Sequence, residues 1–422
     1  MARSRQIEVA ITRLGGGGDG VAETGAGLLF VPYTMPGDRV QVEIGQRVEG
    51  GRRGRLVALL AAGPDRIEPP CPHFHACGGC SLQQAAPAAY GAWKRQRVID
   101  ALARRGLDGA VVAPLRTIAP GERRRADLVA RRLGARLVLG FHERLSHRIV
   151  DLDTCLVLDP RLVALLPGLR ALMAEVLAPG AGADIKASVS EGGIDLVIDG
   201  MPAPDLARRE RLAAFAVERD LARLTLRDAA SGFLDPIARR RPALVRFGGI
   251  AVEPPPGGFL QASPAAEAIL LARVREAVGS ARKIADLFAG CGTFALPLSE
   301  QAEVLAVESD GAALAALNAA AHGAGRRVTA LARDLVRRPL TASELEGVEA
   351  LVFDPPRAGA REQAAELARS ALPVVVGVSC EPKSFARDAR LLVDGGYRLE
   401  SVVPVDQFLW SPHVELVGVF RR

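Results

Sequence analysis

Lysine is nearly missing from this chain. Of its 54 basic residues only Lys94, Lys186, Lys283 and Lys383 are lysine, and the rest are arginine. Such a bias reads as genome-wide and carries little weight as a phosphate signal. Aromatic residues are scarce as well, at 4%, which excludes a surface paved with stacking rings. No apolar run reaches the roughly 18 residues that a membrane helix needs. The opening stretch MARSRQIEVA holds no apolar segment of signal-peptide length. The expected setting is therefore the cytosol, with no membrane partner. There, six cysteines in 422 residues do not make a disulfide scaffold, and clustered thiols point to metal or catalysis.

What is present suits a folded chain of two or three domains: 49% hydrophobic and 24% charged residues over a length too great for one ordinary core. Composition shifts near 62 and 245 divide it into residues 1–62, 63–245 and 246–422. The net charge of +6 is unevenly spread. Between Lys94 and Arg148 stand fourteen basic and five acidic residues, including the run Arg123, Arg124, Arg125 and the pair Arg131, Arg132. Such a stripe fits a polyanion footprint, or simply a solvated arginine-rich face.

The first region alternates in short runs at Ile7–Ile11, Leu28–Val31, Val40–Ile44 and Leu56–Leu60, separated by glycine-rich turns. Four or five short strands in so few residues predict a small barrel of OB type. Asp19-Gly20, Phe30-Val31-Pro32 and the turn Pro36-Gly37-Asp38 resemble the TRAM domain, an RNA-binding module.

The second region opens with Cys71, Cys77 and Cys80 in a C-x5-C-x2-C spacing, and Cys155 stands as a remote fourth. Four thiolates of this kind can surround a tetrahedral zinc or an iron–sulfur cluster, and the spacing leaves both open. The C-x3-C-x2-C pattern of radical-SAM enzymes is absent.

The third region alternates apolar strands with helical stretches. Ser263-Pro264 with Glu267 starts a helix that Gly279 ends. Strands are expected at 283–288, 303–308, 327–332, 350–354, 374–379, 397–403 and 413–420. This is an α/β doubly wound pattern, whose ligands sit at the carboxyl ends of the strands. Gly290 and Gly292 follow the first strand at Asp286-Leu287-Phe288 and let backbone approach a ligand. Glu308 ends the second strand, where a carboxylate can take both hydroxyls of a ribose. Asp334 follows the third, where it can meet an adenine edge. The spacing fits S-adenosylmethionine (SAM) better than a dinucleotide; plain helix caps are the alternative for both acids. Asp354-Pro355-Pro356-Arg357 ends the fourth strand. Cys380 lies between the fifth strand and a helix opened by Glu381-Pro382, where the helix dipole favours thiolate and Glu381 opposes it. Cys291 reads as packing. Near the end, His413 and Glu415 are two apart on a predicted strand and so share a face. Glu415, a carboxylate in an apolar run, is a candidate general base with a raised pKa.

In this order, the four cysteines, Phe259-Leu260-Gln261, the Asp286 loop, Asp354-Pro355-Pro356-Arg357, Val378-Ser379-Cys380-Glu381-Pro382 and Asp406 to Glu415 resemble the RNA uracil-5-methyltransferase family, in its iron–sulfur branch with a TRAM domain. The resemblance implies a Rossmann-like class I SAM methyltransferase domain over 246–422, a TRAM barrel over 1–62 and a central α+β iron–sulfur domain over 63–245. It implies Cys380 as nucleophile and Glu415 as base, a [4Fe–4S] cluster on Cys71, Cys77, Cys80 and Cys155, and SAM binding by Gln261, Phe288, Thr293, Glu308, Asp334 and Asp354. The expected partner is RNA, with ribosomal RNA favoured over transfer RNA by domain content, and the expected state is a monomer. Ser263, Glu381, Leu409 and Ser411 depart from residues common in the family. Methylation of another base atom, an inactive RNA-binding or chaperone protein, and an electron-transfer protein are the competing readings.

Overall fold

The alternation at the N-terminus becomes a six-stranded sheet in the computed structural model, which describes residues 6–422. The first five residues of the opening stretch lie outside that range. The strands run in the order Gln6–Ala10, Arg39–Val48, Gly51–Ala61, Gly27–Val31, Gly20–Thr24, Arg13–Leu14. Their inward residues, among them Ile11, Ala22, Leu29, Val31, Val40 and Val42, form a small core of their own. Gly20–Thr24 and Arg13–Leu14 have no apolar run, which is why the pattern reading did not find them. The Pro36-Gly37-Asp38 turn is pinned through buried Asp38. Its carboxylate accepts the Met35 N–H at 2.7 Å and the Gly63 N–H at 2.8 Å, and pairs with Arg66 at 2.7 Å.

A seven-stranded sheet occupies much of the middle region, in the order Ile149–Asp151, Arg136–His142, Arg125–Leu133, Gly182–Ser190, Gly193–Asp199, Arg223–Arg227, Leu234–Arg239. Helices Pro160–Val176 and Leu206–Glu218 cover it, burying Leu165, Leu169, Leu172, Leu212 and Phe215.

The eight-stranded sheet that carries the site has strands β1 (Arg116–Thr117), β2 (Lys283–Leu287), β3 (Glu303–Glu308), β4 (Val328–Ala332), β5 (Ala350–Phe353), β6 (Val374–Ser379), β7 (Arg398–Asp406) and β8 (Glu415–Arg421). Its order is β4-β3-β2-β5-β6-β8-β7-β1. The run from β4 to β6 is parallel, and β8 inserts antiparallel between β6 and β7. Strands β5 and β6 are buried throughout, as near-continuous apolar runs require when helices cover both faces. The middle region also reaches this sheet. β1 pairs with β7, and the helix Pro87–Ala103 buries Val98, Ala101 and Leu102 in the core that holds Val375, Phe385 and Phe420.

One glycine pair seats the helix Pro382–Asp394. Gly377 and Gly418 lie opposite each other across β6 and β8. A Cβ on Gly418 would stand 2.3 Å from the Phe385 ring, and one on Gly377 would stand 2.9 Å from Phe353. The missing side chains leave the slot that Phe385 fills. Among the described residues no helix is long and apolar enough to cross a membrane.

Candidate active site

The sheet registers bring the expected residues to one end. Asp286, Asp354 and Cys380 stand at the carboxyl ends of β2, β5 and β6. Ser379 pairs with Leu416 across the antiparallel β6 and β8, which brings the flanking Cys380 and Glu415 close enough for the Glu415 charge to act on the thiol. Glu415 is the first residue of β8 and is 2% exposed. His413 precedes the strand instead of lying on it. It faces the cysteine cavity and packs edge-on against Phe408, so the expectation that it shares a strand face with Glu415 is corrected.

A row of side chains connects the two carboxylates. The Gln261 Nε2 group donates to Asp354 Oδ2 at 2.9 Å, and the Gln407 Nε2 group donates both to Gln261 Oε1 at 2.9 Å and to Glu415 Oε2. Gln261 arrives from the loop before the helix Pro264–Val278. Arg124 holds that loop, since its Nε donates to the Gln261 carbonyl at 2.9 Å and its N–H to the Ala262 carbonyl at 2.9 Å. Arg124 also pairs with buried Glu267. The Arg123–Arg125 run is thus no solvated stripe. Arg124 is 6% exposed, and Arg125 stacks over Phe259 at 4.8 Å. Its charge braces the site from within.

Burial dominates the electrostatics. It pushes Asp354 up to about 7 against a partial lowering by the Gln261 amide. It pushes Glu415 well above the carboxylate range, with the Asp354 charge adding to it and the Gln407 amide opposing it. The Cys380 thiol is pushed up to about 11 by burial, then by the charges of Glu415 and Asp354. Burial first, and then the two nearby carboxylates, thus oppose the helix-dipole preference for thiolate that the sequence suggests. Glu381 caps the helix, accepting from the Lys383 N–H at 3.3 Å, and its charge is engaged by Arg357 at 3.1 Å.

On the neighbouring strands, Glu308 receives three backbone N–H groups, from Gly290 at 3.0 Å, Ser309 at 2.6 Å and Asp310 at 2.8 Å. It is thereby locked against the glycine loop. Phe288 sits at φ 61, a left-handed conformation that costs a non-glycine residue energy and is stored mainly at functional sites. Asp286 is fully buried, with neither carboxyl oxygen in a hydrogen bond of ordinary geometry, and burial raises its pKa well above the usual range. No role was assigned to it from the sequence. Asp334 is exposed and caps its own turn through Val336 and Arg337. Thr293 lines a separate cavity with Arg124 and Phe247. Cys291 is buried in the core, as read.

The loop before β8 is held by a buried cluster that the sequence did not disclose. Asp406 pairs with Lys94, both fully buried, and accepts the Tyr90 hydroxyl at 2.6 Å. Lys94 also donates to the Phe408 carbonyl at 3.0 Å, and Tyr90 Oη accepts the Trp410 N–H at 2.8 Å. The i, i+4 spacing of Tyr90 and Lys94 on one helix face was the available signal.

Cys71, Cys77, Cys80 and Cys155 all line one cavity of about 500 Å³, together with Phe408, Leu409, Ser411 and His413. The Gly79 N–H points at Cys77 Sγ at 3.4 Å. Burial raises the Cys77 and Cys155 thiols and takes Cys80 to about 12. Among the described residues no three His, Cys, Asp or Glu side chains are gathered closely enough to hold a single metal ion.

A profile of the tRNA (uracil-5-)-methyltransferase family matches residues 253–422. An uncharacterized RNA methyltransferase of Brucella suis is 44% identical over 425 residues, covering 100% of this chain and 99% of the relative. A 23S rRNA (uracil(1939)-C(5))-methyltransferase of Acidithiobacillus ferrooxidans is 33% identical, covering 98% and 97%. Among solved structures, a Pyrococcus abyssi tRNA (uracil-54, C5)-methyltransferase in complex with S-adenosyl-L-homocysteine superposes with a TM-score of 0.76. It covers 98% of this chain and all of its own, at 22% identity, and so speaks for the fold.

Proposed function

The chain belongs to the RNA (uracil-5-)-methyltransferase family, and from that premise we propose that it methylates C5 of one uridine in 23S ribosomal RNA. The observation that carries the reading is Cys380 close to Glu415 beside β6 and β8, with Asp354 tied to Glu415 through Gln261 and Gln407. The 23S relative, alike over nearly the whole chain, supports ribosomal over transfer RNA.

SAM, when bound, supplies an electrophilic methyl group on a sulfonium. Phe288, Glu308, Asp334, Thr293, Gln261 and Asp354 are the proposed contacts, to which the structure adds Asp286. Its buried carboxyl, met only by the poorly aligned Ala295 N–H, would suit a cofactor that carries an ammonium group. Cys380 loses its thiol proton to solvent and forms a bond to uracil C6, and the C5=C6 pair moves into the C4–O4 enolate. C5 then bonds to the methyl carbon as the carbon–sulfur bond of SAM breaks. Glu415 takes the C5 proton, C5=C6 re-forms, and the C6–S bond breaks to free Cys380. Asp354 accepts N3–H of uracil, which cytosine lacks. The base must leave its stack to reach this buried site, and the N-terminal sheet, read as a TRAM module, would grip the RNA.

The four cysteines would hold a [4Fe–4S] cluster. Four thiols line that one cavity and the Gly79 N–H points at one of them, a donor set that would suit an iron–sulfur cluster. Its proposed role is structural, beside the Phe408–His413 loop that leads into β8.

RNA carrying 5-fluorouridine at the target tests the reaction, since fluorine cannot leave C5 as a proton does. The expected result is a methylated covalent complex that Cys380→Ala does not form. A Cys380→Ala protein that methylates RNA at the normal rate refutes the mechanism. Mapping 5-methyluridine in ribosomal and transfer RNA of a deletion strain decides the substrate.

A further inference from the structure

Gln407 has a forced orientation. Its Oε1 accepts the Ala262 backbone N–H at 3.2 Å, a group that can only donate. The NH2 end must therefore face Gln261 Oε1 and Glu415 Oε2, and each of its two hydrogens has one acceptor. With its own carbonyl so engaged, Gln261 must turn its NH2 toward Asp354. One backbone N–H thus sets the polarity of the whole row. Asp354 Oδ1 and Glu415 Oε1 take no hydrogen bond from the described residues, so each acid keeps one oxygen for the pyrimidine. The backbone at Gln407 is fixed in turn by its neighbour Asp406, locked to Lys94 and Tyr90.

We infer that Gln407 is a positioning residue for the base: it aims Glu415 at C5 and Gln261 at Asp354, and it governs release of Cys380 after methyl transfer more strongly than the transfer itself. The inference rests on the proposed reaction. The groups around Glu415 are Asp354 at the end of β5, Cys380 after β6 and, behind Asp354, Asp286 of β2. Burial and then the Asp354 charge raise Glu415, and the Gln407 amide is the one neighbour that favours the Glu415 carboxylate. Charged Arg124 is occupied by Glu267, and burial keeps His413 neutral to lower pH than usual.

The test uses the full chain and a 23S transcript containing the target uridine, with Gln407→Met, Gln407→Glu and, for reference, Glu415→Gln. Gln407→Met keeps the volume and removes the donor. Its single-turnover methyl transfer, which also feels the loosened Gln261, should fall several-fold less than its steady turnover. Steady turnover at neutral pH should fall at least tenfold, a methylated covalent adduct should accumulate, and activity should recover as pH rises. Gln407→Glu can donate to Glu415 only while protonated, so its turnover should decline on the alkaline side, where the wild type still climbs. A merely structural role moves neither pH profile. Should Gln407→Met fail to fold, the Gln407→Glu profile decides alone. Wild-type profiles with no adduct overturn the inference. If Glu415→Gln stalls as an adduct while the Gln407 variants do not, only the positioning role falls. If Glu415→Gln also turns over freely, the proposed reaction falls with it.

Discussion

Replacing Asp354 with Asn should make the protein more stable above neutral pH and make little difference in acid. Asp354 is raised from 3.8 to about 7 by burial. The unfolded chain therefore releases this proton near pH 4, while the folded chain holds it to near pH 7. A folded-state pKa raised in this way favours folding at low pH, and that contribution is lost as pH climbs to the folded value. The shift is worth on the order of 4 kcal/mol once pH exceeds 7, and less than half of that near pH 5. Asn keeps the shape and the acceptor for the Gln261 amide and has no charge to bury. Its removal also relieves Glu415, which the Asp354 charge holds up. Urea unfolding of wild type and Asp354→Asn at about pH 5 and about pH 8 measures the effect. The variant should gain several kcal/mol at the higher pH relative to the lower. A pH-independent difference, or an Asn variant weaker at pH 8, refutes the account of Asp354 as a strained buried acid.

Turnover should keep rising above pH 7, because Asp354 must ionise through about 7 and Cys380 through about 11; a profile of kcat/KM already flat below pH 7 contradicts this. Lys94→Met leaves Asp406 buried and unpaired and should cost roughly 3–5 kcal/mol, with Lys94→Met/Asp406→Asn recovering part of it in thermal melts. Gly418→Ala drives a methyl group into the Phe385 ring and should cost roughly 1–3 kcal/mol, relieved by adding Phe385→Leu. Cys155→Ser, purified without oxygen, should lose bound iron while the wild type carries about four irons per chain; one zinc per wild-type chain would contradict the cluster.

Much of the site could be read directly. Cys380, Glu415 and Asp354 lie in local patterns whose chemistry shows in one dimension: a cysteine at a strand end, a carboxylate in an apolar run, an acid before two prolines; Gln261 came only through the family resemblance. The parallel strands were legible because buried β-strands are continuous apolar runs, and Glu303–Glu308 and Val374–Ser379 fall where the pattern put them. The N-terminal strands Gly20–Thr24 and Arg13–Leu14 were not legible, since each is too poor in apolar residues to make a pattern, although Val21 and Ala22 are buried. Nor was the inward turn of Arg124, because an arginine run looks the same in sequence whether it meets solvent or a buried glutamate.

The sequence by itself determined which groups are available: one cysteine at a strand end, one carboxylate in an apolar run, four further thiols, and the strands that carry them. Tertiary structure decided their state. Beside β6 and β8 it set Cys380 against Glu415, and it buried both with Asp354, so that desolvation raises all three and neighbouring carboxylate charge raises Cys380 and Glu415 further, where a helix dipole alone would have favoured the thiolate. Through a single backbone N–H at Ala262 it also chose which way Gln407 and Gln261 point. Those effects depend on distances between residues far apart in the chain, and no local pattern contains them.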